Sequence, residues 1–116
     1  MAGFKDLNVW KLSKELAVSI YKMTKEGAFK TDFSLRDQIR RAAVSIPSSI
    51  AEGDERGSNK EAVRFFYIAK GSLAELQTQL IIAHEIGYID SEIVKDMDER
   101  YQTLGKMLGS LIKVRT

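Results

Sequence analysis

Lys11, Lys14, Lys22 and Lys25 recur at spacings that gather them into one narrow arc of a helix, at about 100° per residue. Such a row of ammonium groups suits a phosphate backbone. Trp10 and Tyr21, on the border between this arc and the apolar face, are of the kind that stacks on unpaired bases. The same row is also the ordinary solvated face of a soluble helix, with Glu15 close beside it, and residue type alone leaves both readings open. A second cationic surface comes from Arg36 and Arg40, which project away from the Leu35 stripe near Val44, and from Arg41, which points to another side. Arg64 and Lys70, further along, are placed to join it. A guanidinium forks onto phosphate or carboxylate alike. Glu52, Asp54, Glu55 and Glu75 supply the carboxylates, so nucleic-acid binding and structural pairing, including pairing between subunits, stand level.

Catalytic chemistry finds no comparable footing. His84 is the single histidine, lies close to the core edge of its helix and has no second histidine at helical spacing, so it reads as a packed or interface residue. Glu52, Asp54 and Glu55 cluster where a helix ends and a turn begins, without the spacing of paired-acid catalysis. Gly53 to Gly57 brackets a short charged turn that matches neither a P-loop nor a dinucleotide fingerprint. With no cysteine, thiolate catalysis, disulfides and cysteine zinc sites are excluded. The expectation is a non-enzyme with no catalytic residue, metal or cofactor.

The residues that could act must be held by helices. A first helix is predicted from about Val9 to Lys25, capped by Asp6 or Asn8, with Val9, Leu12, Leu16, Ile20 and Met23 facing the core. After a loop from Gly27 to Phe33, Ser34 and Asp37 form a capping-box-like start to a second helix reaching Glu52-Gly53. Its stripe is Leu35, Ile39, Ala42, Ala43, Ile46 and Ile50, and Pro47, the sole proline, predicts a kink in a helix whose Ala and Ser residues allow close approach. Asp54 to Gly57 turns the chain. Ser58-Asn59-Lys60-Glu61 opens a third helix that stops at Gly87, and Asp90 or Ser91 caps a fourth with Ile93, Met97, Tyr101, Leu104, Leu108 and Leu111 in line. Four amphipathic segments joined by short turns predict an all-α, antiparallel up-and-down four-helix bundle.

The third segment carries more apolar surface than one core face requires. Ala62, Phe65, Phe66, Ala69, Leu73, Leu76, Leu80 and Ala83 complete that face, yet Tyr67, Ala74, Ile81 and Ile82 lie elsewhere on the circumference. Either this helix sits deep between its neighbours or these four residues meet another subunit.

A chain of 116 residues fits one domain spanning 1–116, large enough for a core without staples. The net charge is only +2, but residues 1–30 hold six lysines against Asp6, Glu15 and Glu26. Charges interrupt every apolar run short of the ~20 residues that span a bilayer, and no secretory apolar region opens the chain, so a cytoplasmic protein without membrane contact is expected.

Three separated motifs occur in order: Asp6-Leu7 with Val9-Trp10, Gln38 to Pro47 with Ile50-Ala51-Glu52-Gly53, and Ile68-Ala69 through Gly71-Ser72-Leu73-Ala74-Glu75-Leu76 to Leu80. Together with Ser58 and Lys60-Glu61, they make the chain resemble the four-helix-bundle family of 23S ribosomal RNA intervening-sequence proteins. The resemblance implies a ring-forming homo-oligomer, a pentamer being the expected state, with Tyr67, Ala74, Ile81 and Ile82 at the subunit interface. It implies packing roles for Trp10, Ile39, Pro47, Phe65 and Leu76 and marks Arg40, Arg41, Arg64 and Glu75 as the polar positions to test. Related accessory proteins of diversity-generating retroelements engage reverse transcriptase and RNA through a basic ring. The resulting expectation is a non-enzymatic oligomer that binds RNA or another nucleic acid non-specifically through basic helix edges. The alternative is a protein-binding scaffold or accessory adaptor.

Overall fold

Capping side chains and left-handed glycines set the ends of the helices. In the computed structural model, which describes residues 3–116, they delimit α1 (Asn8–Met23), α2 (Phe33–Asp54), α3 (Asn59–Glu85) and α4 (Ser91–Arg115). Met1 and Ala2 of the expected single domain lie outside the described residues. Ser58 accepts from the Glu61 N–H at 3.2 Å and Asp90 from the Ile93 N–H at 2.9 Å, each satisfying a free donor of a first turn. At the other end of α3, Gly87 adopts φ +86°, which lets its own N–H reach the His84 carbonyl and the Tyr88 N–H reach that of Ala83.

The helices run up and down. Each packs on the next and α4 returns to α1, giving a four-helix bundle of 43 × 22 × 21 Å. Its core is one apolar cluster, in which Leu16, Ile20, Ile39, Ile46, Ile50, Phe66, Leu76, Leu104 and Leu108 are fully buried. No helix among the described residues is long and apolar enough to cross a membrane.

Three expectations about the first helix are corrected. The first helix ends at Met23, so Lys25 belongs to the following turn; Thr24 closes the helix by donating its hydroxyl to the Ile20 carbonyl at 2.8 Å, and Gly27 turns the chain at φ +62°. Neither Asp6 nor Asn8 caps this helix: Asp6 ends a single 3₁₀ turn from Phe4, and Asn8 is already helical. The core face of α1 is also rotated relative to expectation. Ser13 and Ala17 are buried, the former with its hydroxyl on the Trp10 carbonyl at 2.9 Å, whereas Leu12 lies at the surface beside Arg100 and Leu104 of α4.

At α2 the cap is Asp32, which accepts from the Leu35 N–H at 3.1 Å, in place of Ser34 and Asp37. The loop before it is not featureless: a 3₁₀ turn, Gly27–Lys30, buries Phe29 against Tyr88. The helix runs unbroken through Pro47 to Asp54. Close packing of α2 on α3 is direct. A Cβ at Gly53 would lie 2.8 Å from the Phe66 ring and 2.9 Å from the Ala62 carbonyl oxygen, and Ser45 and Ser72 share a 2.8 Å hydrogen bond further along. Phe65, expected in the core, is only half-buried, with the Arg56 guanidinium 4.4 Å above its ring.

Candidate nucleic-acid interface

Residues three, four, seven, eight and eleven apart share a helix face, and α1 accordingly brings Lys14, Lys22 and, from the turn beyond it, Lys25 to one side. There they meet Val44 and Pro47 of α2 across a groove of about 450 Å³ whose remaining lining is Ala17, Val18 and Tyr21. Ala17 and Pro47 are buried, while Val18, Tyr21 and Val44 stay 48%, 42% and 40% exposed, so the base of the groove is apolar and its margin cationic. Lys11 is exposed on the same helix but does not line the groove. Trp10 is half-buried, packed edge-on against Phe4 at 5.1 Å, with the Lys14 ammonium 5.6 Å from its centroid.

The expected arginine surface resolves differently. Arg40 neither pairs with a carboxylate nor stands free. Its Nε donates to Thr24 Oγ1 at 2.8 Å, its Nη2 to the Tyr21 carbonyl at 3.4 Å, and its guanidinium lies 4.6 Å from the Tyr21 centroid. A cation thus sits at the C-terminus of α1, where the helix dipole favours it, and fastens that end to α2. Arg36 pairs with Asp37 at 3.1 Å and lies over Phe33, and Arg64 pairs with Glu61 at 3.5 Å. Lys70 rests 5.9 Å from the Tyr67 ring and lines a groove with Lys106 between α3 and α4, on the opposite side of the bundle from the α1–α2 groove. Arg41 alone of the arginine candidates is exposed and without an ion pair among the described residues.

One regularity separates the two cation types. All five ion pairs among the described residues are made by arginines, and none by a lysine. The acidic cluster is absorbed in this way: Glu52 pairs with Arg56 at 3.4 Å and Asp54 with Arg115 at 2.7 Å, while Glu55 is the C-cap of α2. His84 is half-buried, with Nε2 3.4 Å from the Ser91 hydroxyl, and no metal-binding cluster occurs among the described residues.

The surface expected of the third helix is open in the single chain. Tyr67, Ile81 and Ile82 are 55%, 48% and 47% exposed, Ala74 is exposed, and Ile68 and Ile86 extend the same side of α3. Neither neighbouring helix, α2 or α4, buries them, which removes the reading in which α3 lies deep within its own bundle.

Residues 5–110 match the family model described as 23S rRNA-intervening sequence protein. The chain belongs to this family. A crystal structure of a protein of unknown function from the S23 ribosomal protein family of Bacteroides thetaiotaomicron VPI-5482 is similar, with a TM-score of 0.78 and 27% identity over 90% of this chain and 98% of that one. No curated protein matches the chain. In this member of the intervening-sequence family, the motif positions divide by burial. Ile39, Pro47 and Leu76 are core, Trp10 and Phe65 are half-buried, and Arg41 and Glu75 are exposed on α2 and α3.

Val18 and Val44 were not singled out as functional from the sequence, yet they shape the groove. For Val18 a signal existed: it is an apolar residue in the middle of the lysine arc, where a purely solvated face has no use for one.

Proposed function

We propose that this intervening-sequence family protein is a non-enzymatic, self-assembling helical bundle that holds RNA or another nucleic acid by its phosphates along the α1 edge, with little sequence specificity. The observation that carries this reading is the convergence of Lys14, Lys22 and Lys25 on one groove with no ion pair to any of them among the described residues. Lysine ammonium groups on flexible stems follow a phosphate chain without demanding a fixed geometry. Lys11 extends the edge towards the start of α1. Of the arginine candidates, Arg41 joins as a free cation, and Arg36, Arg40 and Arg64 serve the fold first.

The assembly is a cyclic homo-oligomer, a pentamer by family resemblance, closed through the outer side of α3 at Tyr67, Ala74, Ile81 and Ile82. Exposed apolar residues over several turns of one helix support this contact. The same surface favours a second reading, in which α3 docks a different protein and the molecule is a scaffold or adaptor. Solution mass separates the two: Ile81→Glu with Ile82→Glu lowers the mass to that of a monomer if α3 closes the ring, and a wild-type monomer at working concentration contradicts it.

The nucleic-acid reading is tested by binding of the purified, nucleic-acid-free protein to mixed RNA across a salt series in the cytoplasmic range. Affinity that falls as salt rises is the expected result. Absence of binding at low salt, with the assembly intact, transfers the function to the scaffold.

A further inference from the structure

Lysines along a helix attract any phosphate backbone and do not by themselves choose between a duplex and a single strand. The α1–α2 groove adds a feature a duplex cannot use. Between the lysines lies an apolar floor of Ala17, Val18, Val44 and Pro47 with one aromatic ring, Tyr21, at its side. The bases of a duplex are already paired and stacked, whereas an unpaired base leaves a π-face that gains from an aromatic or apolar partner.

We propose that this groove takes an unpaired nucleotide of single-stranded RNA, its base lying against Tyr21 and the Val44–Pro47 floor and the flanking phosphates on Lys14, Lys22 and Lys25. This rests on the reading of α1 as a phosphate-binding edge and adds the strand state and the place of the base. The ring is set in advance. Arg40 lies 4.6 Å from the Tyr21 centroid and is itself held by Thr24 at 2.8 Å, so little side-chain freedom remains to be lost when a base stacks. The groove lining contains no side-chain amide or carboxylate, and with its three ammonium groups on phosphates the Tyr21 phenol is the one side-chain polar group left for a base edge, too little to tell four bases apart. Recognition is by stacking and charge.

The test uses a short single-stranded RNA carrying 2-aminopurine, and the same strand annealed to its complement, with anisotropy reporting affinity and 2-aminopurine emission reporting stacking. The single strand binds about tenfold more tightly than the duplex, and its emission changes on binding. Tyr21→Leu and Val44→Gln, both at partly exposed positions, abolish the emission change and the single-strand preference while keeping the salt slope. Equal affinity for both RNAs with unchanged emission overturns the groove assignment and leaves the phosphate edge standing. Failure of both RNAs to bind at low salt, with the assembly intact, overturns the edge as well. An acidic peptide that binds wild type but not Val44→Gln, together with single-strand preference and emission change unaltered in both variants, assigns the groove to a protein segment and overturns the proposal.

Discussion

The two ends of the bundle and its α1–α2 side use polar residues in opposite ways. At one end Tyr88 of the α3–α4 connection donates its hydroxyl to Asp32, the cap of α2, at 2.8 Å. At the other, Arg115 of α4 binds Asp54 at the close of α2 at 2.7 Å. Both contacts join residues more than fifty positions apart and fix where helices end. Along the α1–α2 side, three lysines border an apolar groove without an ion pair among the described residues. The difference teaches that planar, forked or capping groups hold this fold, while the groove lysines form no ion pair within it among the described residues.

Breaking the fold at the close α2–α3 contact gives the largest effect. Gly53→Ala places a methyl within 3 Å of the Phe66 ring and the Ala62 backbone, and the cost in urea unfolding is about 3 kcal/mol, from overpacking. Arg115→Ala comes next. Its pair with Asp54 leaves the two side chains only 25% and 14% exposed, and the guanidinium also lies over Phe66, so its loss costs about 2 kcal/mol by the same measurement. Tyr101→Phe has the reverse sign: the Tyr101 hydroxyl is buried without a partner among the described residues, and its removal raises stability by about 1 kcal/mol.

The smallest effect concerns pH. The Leu35 N–H, then the Tyr88 hydroxyl, lowers the Asp32 pKa from its ordinary 3.8. Its stabilisation is therefore present above 3.8 and lost as pH falls through the lower folded value. The hydrogen bond to Asp32 raises the Tyr88 pKa from 10.0, so that contribution is present below 10.0 and lost as pH climbs through the raised value. Across pH, the thermal midpoint of Asp32→Asn loses the acid component and weakens the alkaline one, Tyr88→Phe loses the alkaline component and keeps the part of the acid one that the Leu35 N–H supplies, and lysine variants of the α1 edge leave the profile unchanged.

Helix number, order and caps at Ser58 and Asp90 are readable in the sequence because each depends on residues within one turn. Asp32 was hidden by better-looking candidates, Ser34 and Asp37, and its role is reinforced by Tyr88, 56 positions away. The fate of Arg40 is of the same kind, since its partners Thr24 and Tyr21 lie on the far side of a turn that no periodicity describes. Leu12 misled because a larger apolar residue was preferred to Ser13 and Ala17, whereas the bundle buries the small ones. The lysine arc itself was visible from spacing, but the groove beside it required α2 to be brought alongside.

The most direct test replaces Lys11, Lys14, Lys22 and Lys25 together by glutamine and measures stability and RNA affinity on the same preparation. Stability within about 0.5 kcal/mol of wild type, with a salt slope flatter by about 3 for the four edge lysines on a single strand, is the predicted result. Unchanged RNA affinity and salt slope in a folded, assembled variant would contradict the account.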